Sequence, residues 1–262
     1  MNKIRRPAVA GLFYPADPQE LRQDVHQFLD AAAPGRIASP KALVAPHAGY
    51  VYSGPIAGSA YAQLSGVRQS VNRVILFAPS HRMAFRGLAY SAADYFETPL
   101  GQVKVDREAL ASLDGLSQVN QLEQPFENEH ALEVHIPFLQ ECLDDFTIVP
   151  LLVSDATPEQ VEEVIERLWG GDETLIVISS DLSHYMDYET AREMDAEATR
   201  AIEELEPDRL GYNNACGRTP VSGLLLAARH HHLKATTLDL RNSGDTAGPR
   251  NQVVGYGAYA FN

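Results

Sequence analysis

The chain has 262 residues, enough for one large core, and neither a linker-like shift in composition nor a low-complexity tract divides it, so a single domain over 1–262 is expected. A formal charge of −14, from 35 acidic against 21 basic side chains, opposes binding to nucleic acid or to an anionic membrane surface. No apolar run approaches membrane-spanning length, and Lys3, Arg5 and Arg6 are followed by Pro7, Pro15 and Asp17 rather than by an apolar signal core. Cys142 and Cys216 form no CxxC pair and are too few to staple a chain of this size, which predicts free thiols in a reducing, cytoplasmic compartment.

In chain order, Asp17, Pro18 and Glu20 stand at N-cap, N1 and N3 of an amphipathic helix carrying Leu21, Val25, Phe28 and Leu29, which Pro34-Gly35 ends. Continuous apolar runs at Ala42–Ala45, Val74–Ala78, Phe146–Val153 and Leu175–Ile178 read as buried parallel strands. Helical patterns at Ile56–Leu64, Glu129–Leu143, Pro158–Trp169 and Glu189–Leu205 alternate with them. Gly87–Val105 breaks that rhythm with short strand segments around Pro99-Leu100-Gly101 and reads as an antiparallel excursion. Leu233–Leu240 and Val253–Phe261 supply two last strands, with a polar loop from Asn242 to Asp245 between them. The fold class is therefore α/β, a mixed, largely parallel central sheet flanked by helices.

In open α/β sheets the ligand crevice lies beyond the carboxyl ends of the strands. Histidines stand there three times: Ala45-Pro46-His47, Pro79-Ser80-His81 and Ser179-Ser180-Asp181-Leu182-Ser183-His184. A proline directly after a strand stops the ladder and aims the next side chain at a fixed point. Each histidine alone is equally well explained as a strand cap; three in parallel positions point to one pocket able to hold a metal ion. Cys216, placed at the start of a helix through Leu224–Ala228, has two readings, a thiolate ligand favoured by the helix N-terminus or a small buried hydrophobe. Cys142, on an apolar helix face, is assigned to the core. Two imidazoles and a thiolate would leave coordination positions open and favour iron, copper(I) or zinc over magnesium.

Three further features are weighed against that set. His130 and His135 are five apart, about 140° around a helix, so they do not form HExxH; both are left outside the ligand set, with His135 the candidate to support the pocket from behind. Two roles are open to Asp181: orienting His184 for acid/base work or capping the following turn. His230-His231-His232 ends a helix, where donor side chains suit the free carbonyls, and reads as solvent-facing.

The chain resembles the Memo family, known in bacteria and archaea as AmmeMemoRadiSam system protein B, over essentially its whole length. The resemblance is carried by Ala10-Gly11-Leu12-Phe13-Tyr14-Pro15, Ala45-Pro46-His47-Ala48-Gly49-Tyr50, Pro79-Ser80-His81, Glu129-His130, Glu133-Val134-His135-Ile136-Pro137, Ser179-Ser180-Asp181, His184-Tyr185, Cys216-Gly217-Arg218 and Asn242-Ser243-Gly244-Asp245. It implies a fold similar to the class III extradiol dioxygenases, which hold non-haem iron(II) on two histidines and a carboxylate. It implies His47 and His81 as metal ligands, Cys216 in the carboxylate's place, and His184 as the further histidine. Iron(II) ranks first as cofactor, then copper, then zinc. Animal members of the family are described as phosphotyrosine-peptide adaptors and as copper- or iron-binding redox proteins; here Phe13 stands where they have a cleft tryptophan, while Tyr52 and His184 are kept, which makes Phe13 and Tyr52 the ligand-binding positions. The prokaryotic name implies association with an AMMECR-domain protein and a radical SAM enzyme. Three functions follow as expectations: a metal-dependent oxidoreductase acting on an unknown small molecule or peptide, a peptide- or protein-binding module using the same cleft, and, behind both, a zinc hydrolase.

Overall fold

A computed structural model describes residues 2–33 and 37–262. After β1 (Ile4–Arg5), Asp17 caps α1 (Pro18–Ala31) by accepting from the amides of Gln19 and Glu20, as the sequence predicts. The expected stop at Pro34-Gly35 lies outside the described residues.

The four apolar runs form β2 (Ala42–Ala45), β3 (Arg73–Pro79), β8 (Thr147–Val153) and β9 (Thr174–Ser179), buried almost end to end. Between β3 and β8 lie β4 (Leu88–Tyr90), β5 (Tyr95–Thr98), β6 (Gly101–Val105), the short α3 (Arg107–Ala111), β7 (Val119–Gln121) and α4 (Ile136–Cys142). After β8 come α5 (Pro158–Leu168), then β9, β10 (His184–Met186), α6 (Tyr188–Glu203), α7 (Arg218–His230), β11 (Ala235–Asn242), α8 (Ser243–Thr246) and β12 (Val253–Phe261), while α2 (Tyr50–Tyr61) follows β2. The sheet is mixed: β6, β8, β3, β9 and β2 run parallel as neighbours, and β12 closes against β2 antiparallel, with β11 beside it. The expected excursion is the antiparallel β5–β6 hairpin. Among the described residues no helix is long and apolar enough to cross a membrane.

Two helices start elsewhere than their patterns suggest. α2 begins at Tyr50, not Ile56, because Tyr50, Ser53, Gly54, Ile56 and Ala57 are all buried, which leaves no polar face for periodicity to register. The helix expected from Glu129 begins only at Ile136: the Glu129 carboxylate takes the amides of His130 and Ala131, a local turn that competes with the helix, and Pro137 then opens α4. The segment bearing His130 is thereby freed from helical geometry.

The loop from β9 to β10 is pinned from behind. Asp195 on α6, only 3% exposed, accepts from the Ser183 amide at 2.9 Å, and a Cβ on Gly255 would sit 2.0 Å from its Oδ2, so glycine there makes room for the carboxylate. Burial raises the Asp195 pKa to about 6 from 3.8. The folded state therefore holds the proton more tightly, and the associated stability is full below about pH 4 and lost as pH rises through about 6. We expect Asp195→Asn, which keeps the accepting oxygen, to stabilise the protein by on the order of 1–3 kcal/mol at pH 7.5 and to have no such effect at pH 4. Thermal melts at the two pH values check this; equal shifts at both would contradict it.

Candidate metal centre

Because β3, β9 and β2 are parallel neighbours, their carboxyl ends open on one edge, and the segments that leave them carry His81, Asp181 and His47 to the same place. Cys216 arrives from the turn before α7, held by mutual contacts with Asp181: its amide donates to the Asp181 carbonyl at 3.2 Å, and the Asp181 amide lies 3.3 Å from its Sγ. Ligand atoms of His47, His81 and Cys216 all lie within 4.8 Å of one another. His47 Nε2 stands 3.3 Å from Cys216 Sγ, and the two imidazole rings cross at 70° with centroids 5.0 Å apart.

Hydrogen bonds settle which nitrogen each ring can offer. The Ser179 hydroxyl has one proton and gives it to the Ala131 carbonyl at 2.7 Å, so it can only accept from His47 Nδ1 at 2.6 Å and His135 Nε2 at 2.8 Å. His135 Nδ1 in turn accepts from the Tyr61 hydroxyl at 2.8 Å. His47 is therefore the Nδ1–H tautomer with a bare Nε2 facing the thiol. His81 is treated likewise: its Nδ1 and its backbone amide both donate to the Glu129 carboxylate, at 3.1 and 2.6 Å. His135 and Tyr61 thus stand behind His47 through Ser179, and Glu129 stands behind His81.

Burial lowers the pKa of His47 and, to about 3, that of His135, keeping both neutral. Burial would raise Glu129, but the hydrogen bonds from the His81 ring and amide and from the Ala131 amide hold it down to about 2. Burial lifts the Asp181 carboxyl to about 7. The Cys216 thiol is pushed up to about 12 by burial and then by Asp181, and the helix that follows starts only at Arg218. A helix N-terminus does not make this cysteine a thiolate in the metal-free protein; only a cation would displace its proton.

A cavity of about 580 Å³ opens over the cluster, lined among others by Phe13, Tyr52, Arg82, His130, His184 and Tyr256. His184 donates Nδ1–H to the Leu182 carbonyl at 2.8 Å, leaving Nε2 free toward the cavity. No hydrogen bond joins Asp181 to His184 among the described residues; Asp181 instead accepts from the His47 amide at 2.7 Å, and its other oxygen lies 3.9 Å from His47 Nε2 at the cavity wall. Phe13 and Tyr52 both line the cavity, and Phe13 packs its ring on His130, centroids 4.6 Å apart. Ser243, from the expected polar loop, borders it too, although that loop is wound into α8.

His130 is the residue the sequence reading left out. It stacks on His81 with centroids 5.0 Å apart, its Nδ1 is buried without a hydrogen bond, and it forms with His81 and Glu129 a second group of metal-capable atoms. The motif Glu129-His130 was visible, but assuming a helix there hid its reach. Cys142 is a buried core thiol, as expected.

The sequence profile described as Memo-like protein matches residues 5–260. The chain belongs to the Memo family. MEMO1 family proteins of Saccharolobus islandicus and Aquifex aeolicus are 36% and 35% identical to it, over 98% and 97% of this chain and 99% and 97% of theirs. One from Metallosphaera sedula is 33% identical over 98% of this Memo chain and 99% of its own. Among solved structures, an uncharacterized protein of Escherichia coli shares the fold, with a TM-score of 0.52 at 12% identity, covering 84% of this chain and 98% of that one.

Proposed function

We propose that this Memo protein holds one redox-active metal ion, iron(II) ahead of copper, on His47, His81 and Cys216, and acts as an oxidoreductase on a small molecule or peptide bound in the cavity. The observation that carries the proposal is the convergence of two imidazoles, each with its Nδ1 engaged by a hydrogen bond, on one half-buried sulfur. The donor set fits: neutral imidazoles suit iron, copper and zinc alike, and the thiol shifts preference toward softer ions. A bound ion would supply one-electron redox chemistry and open positions for substrate.

The chain's own residues supply the rest. His184 Nε2 faces the cavity as the base, fixed by its bond to the Leu182 carbonyl. Asp181 holds the His47 backbone and, with burial lifting it to about 7, is the second group able to exchange a proton near neutrality. Phe13, Tyr52, Tyr185 and Tyr256 give the cavity aromatic walls. Those walls also favour a second reading, a peptide-binding module that turns nothing over: Tyr52 and Tyr185 are 39% and 69% exposed on the rim, where a partner's side chain would meet them.

The test is the metal content of tag-free protein purified anaerobically from iron-supplemented cells, measured by plasma mass spectrometry. Close to one equivalent of iron or copper is expected. No metal in any preparation would overturn the proposal and leave the binding-module reading.

A further inference from the structure

Away from the cavity, α5 and α7 pack so closely that a Cβ on Gly223 would lie 2.7 Å from the Val161 side chain, which fixes the register of the two helices. Their ends bring together Glu162 and Glu166, one turn apart on α5, and His230, the last residue of α7. The side-chain ligand atoms of these three lie within 4.8 Å of one another. Glu162 Oε1 is enclosed and meets no hydrogen-bond criterion, and its near partner is His230 Nδ1 at 2.8 Å, an ion pair when that ring is protonated. The neighbouring His231 grips both Glu166 oxygens at 2.9 and 3.0 Å and stacks its ring on Trp169, centroids 3.6 Å apart and 8° from parallel.

We propose that Glu162, Glu166 and His230 form a second, peripheral site for a divalent transition metal, with zinc(II) the best match to two carboxylates and one imidazole. Calcium and magnesium, which ask for six or more oxygen ligands, fit poorly. An ion drawing Glu166 toward Glu162 and His230 would loosen its hold on His231, and the change would reach the Trp169 ring. All three histidines of the run are exposed, as expected, and the proposal adds a ligand role for His230 alone.

The three residues lie apart from the central cavity and share no side chain with it. Tag-free protein carrying Cys216→Ser, which disables the central set, is titrated with zinc chloride while the fluorescence of Trp169, the chain's one tryptophan, is followed. A saturable change at one equivalent is expected, shifted at least ~10-fold to higher zinc by His230→Ala and by Glu162→Gln, and absent with magnesium. No saturable change up to about 1 mM zinc, a free energy near −4 kcal/mol, would overturn the proposal, as would a titration that both variants leave unmoved.

Discussion

Glu133→Ala is expected to lower the unfolding free energy by about 3–5 kcal/mol, the scale for removing one partner of a buried ion pair. Glu133 is fully buried, and its two oxygens take four donors: Arg5 Nη1 at 2.8 Å, the amides of Ala8 and Val9 at 2.8 and 2.9 Å, and the Tyr14 hydroxyl at 2.7 Å. Alanine leaves the Arg5 guanidinium, itself only 10% exposed, without a counter-charge and orphans the other three donors together. The same carboxylate ties the segment that carries Phe13 to the turn before α4, so the variant's cavity loses a wall as well as stability. Urea denaturation of wild type beside Glu133→Ala and Glu133→Gln measures this. Glutamine, keeping one acceptor and the shape, should fall between, and a loss under about 1 kcal/mol for alanine would mean the four contacts carry little net energy.

The second large effect is on metal affinity, and it is graded. His81→Ala and Cys216→Ser each remove a donor atom and should leave folded protein without stoichiometric metal at the central site. Ser179→Ala touches no metal position, yet it takes away the one acceptor that fixes His47 with a bare Nε2. Loss of such a supporting partner weakens metal binding about 10–100-fold. A competition titration against a chelator, with circular dichroism to confirm the fold, separates the cases. Affinity within twofold of wild type for Ser179→Ala would show that the hydroxyl does not set the tautomer.

Much of this architecture was legible in the sequence because its signals are local. Continuous apolar runs gave β2, β3, β8 and β9, Asp17-Pro18 gave the start of α1, and Pro46 and Pro79 marked the points where strands end and ligands begin. The site's supporting groups were harder to see because they depend on contacts far apart in the chain. Ser179 meets His47 across 132 residues, and Glu129 meets His81 across 48, pairings that only the order of strands decides. The early start of α2 was hidden for the opposite reason, burial on too many faces to leave a periodic pattern. Of the two roles open to Asp181, orienting His184 has no hydrogen bond behind it among the described residues: three residues from His184 in sequence, its carboxylate turns instead to the His47 amide, because β2 and β9 are adjacent.

Metal-edge X-ray absorption on the purified, tag-free protein tests the central claim most directly, since it reads the atoms bound to the ion. A shell of imidazole nitrogens with one sulfur is predicted, the sulfur at ~2.3 Å in zinc-loaded protein, and that sulfur should vanish in Cys216→Ser. A metal surrounded by nitrogen and oxygen alone in the wild type would contradict the assignment of His47, His81 and Cys216 as its ligands.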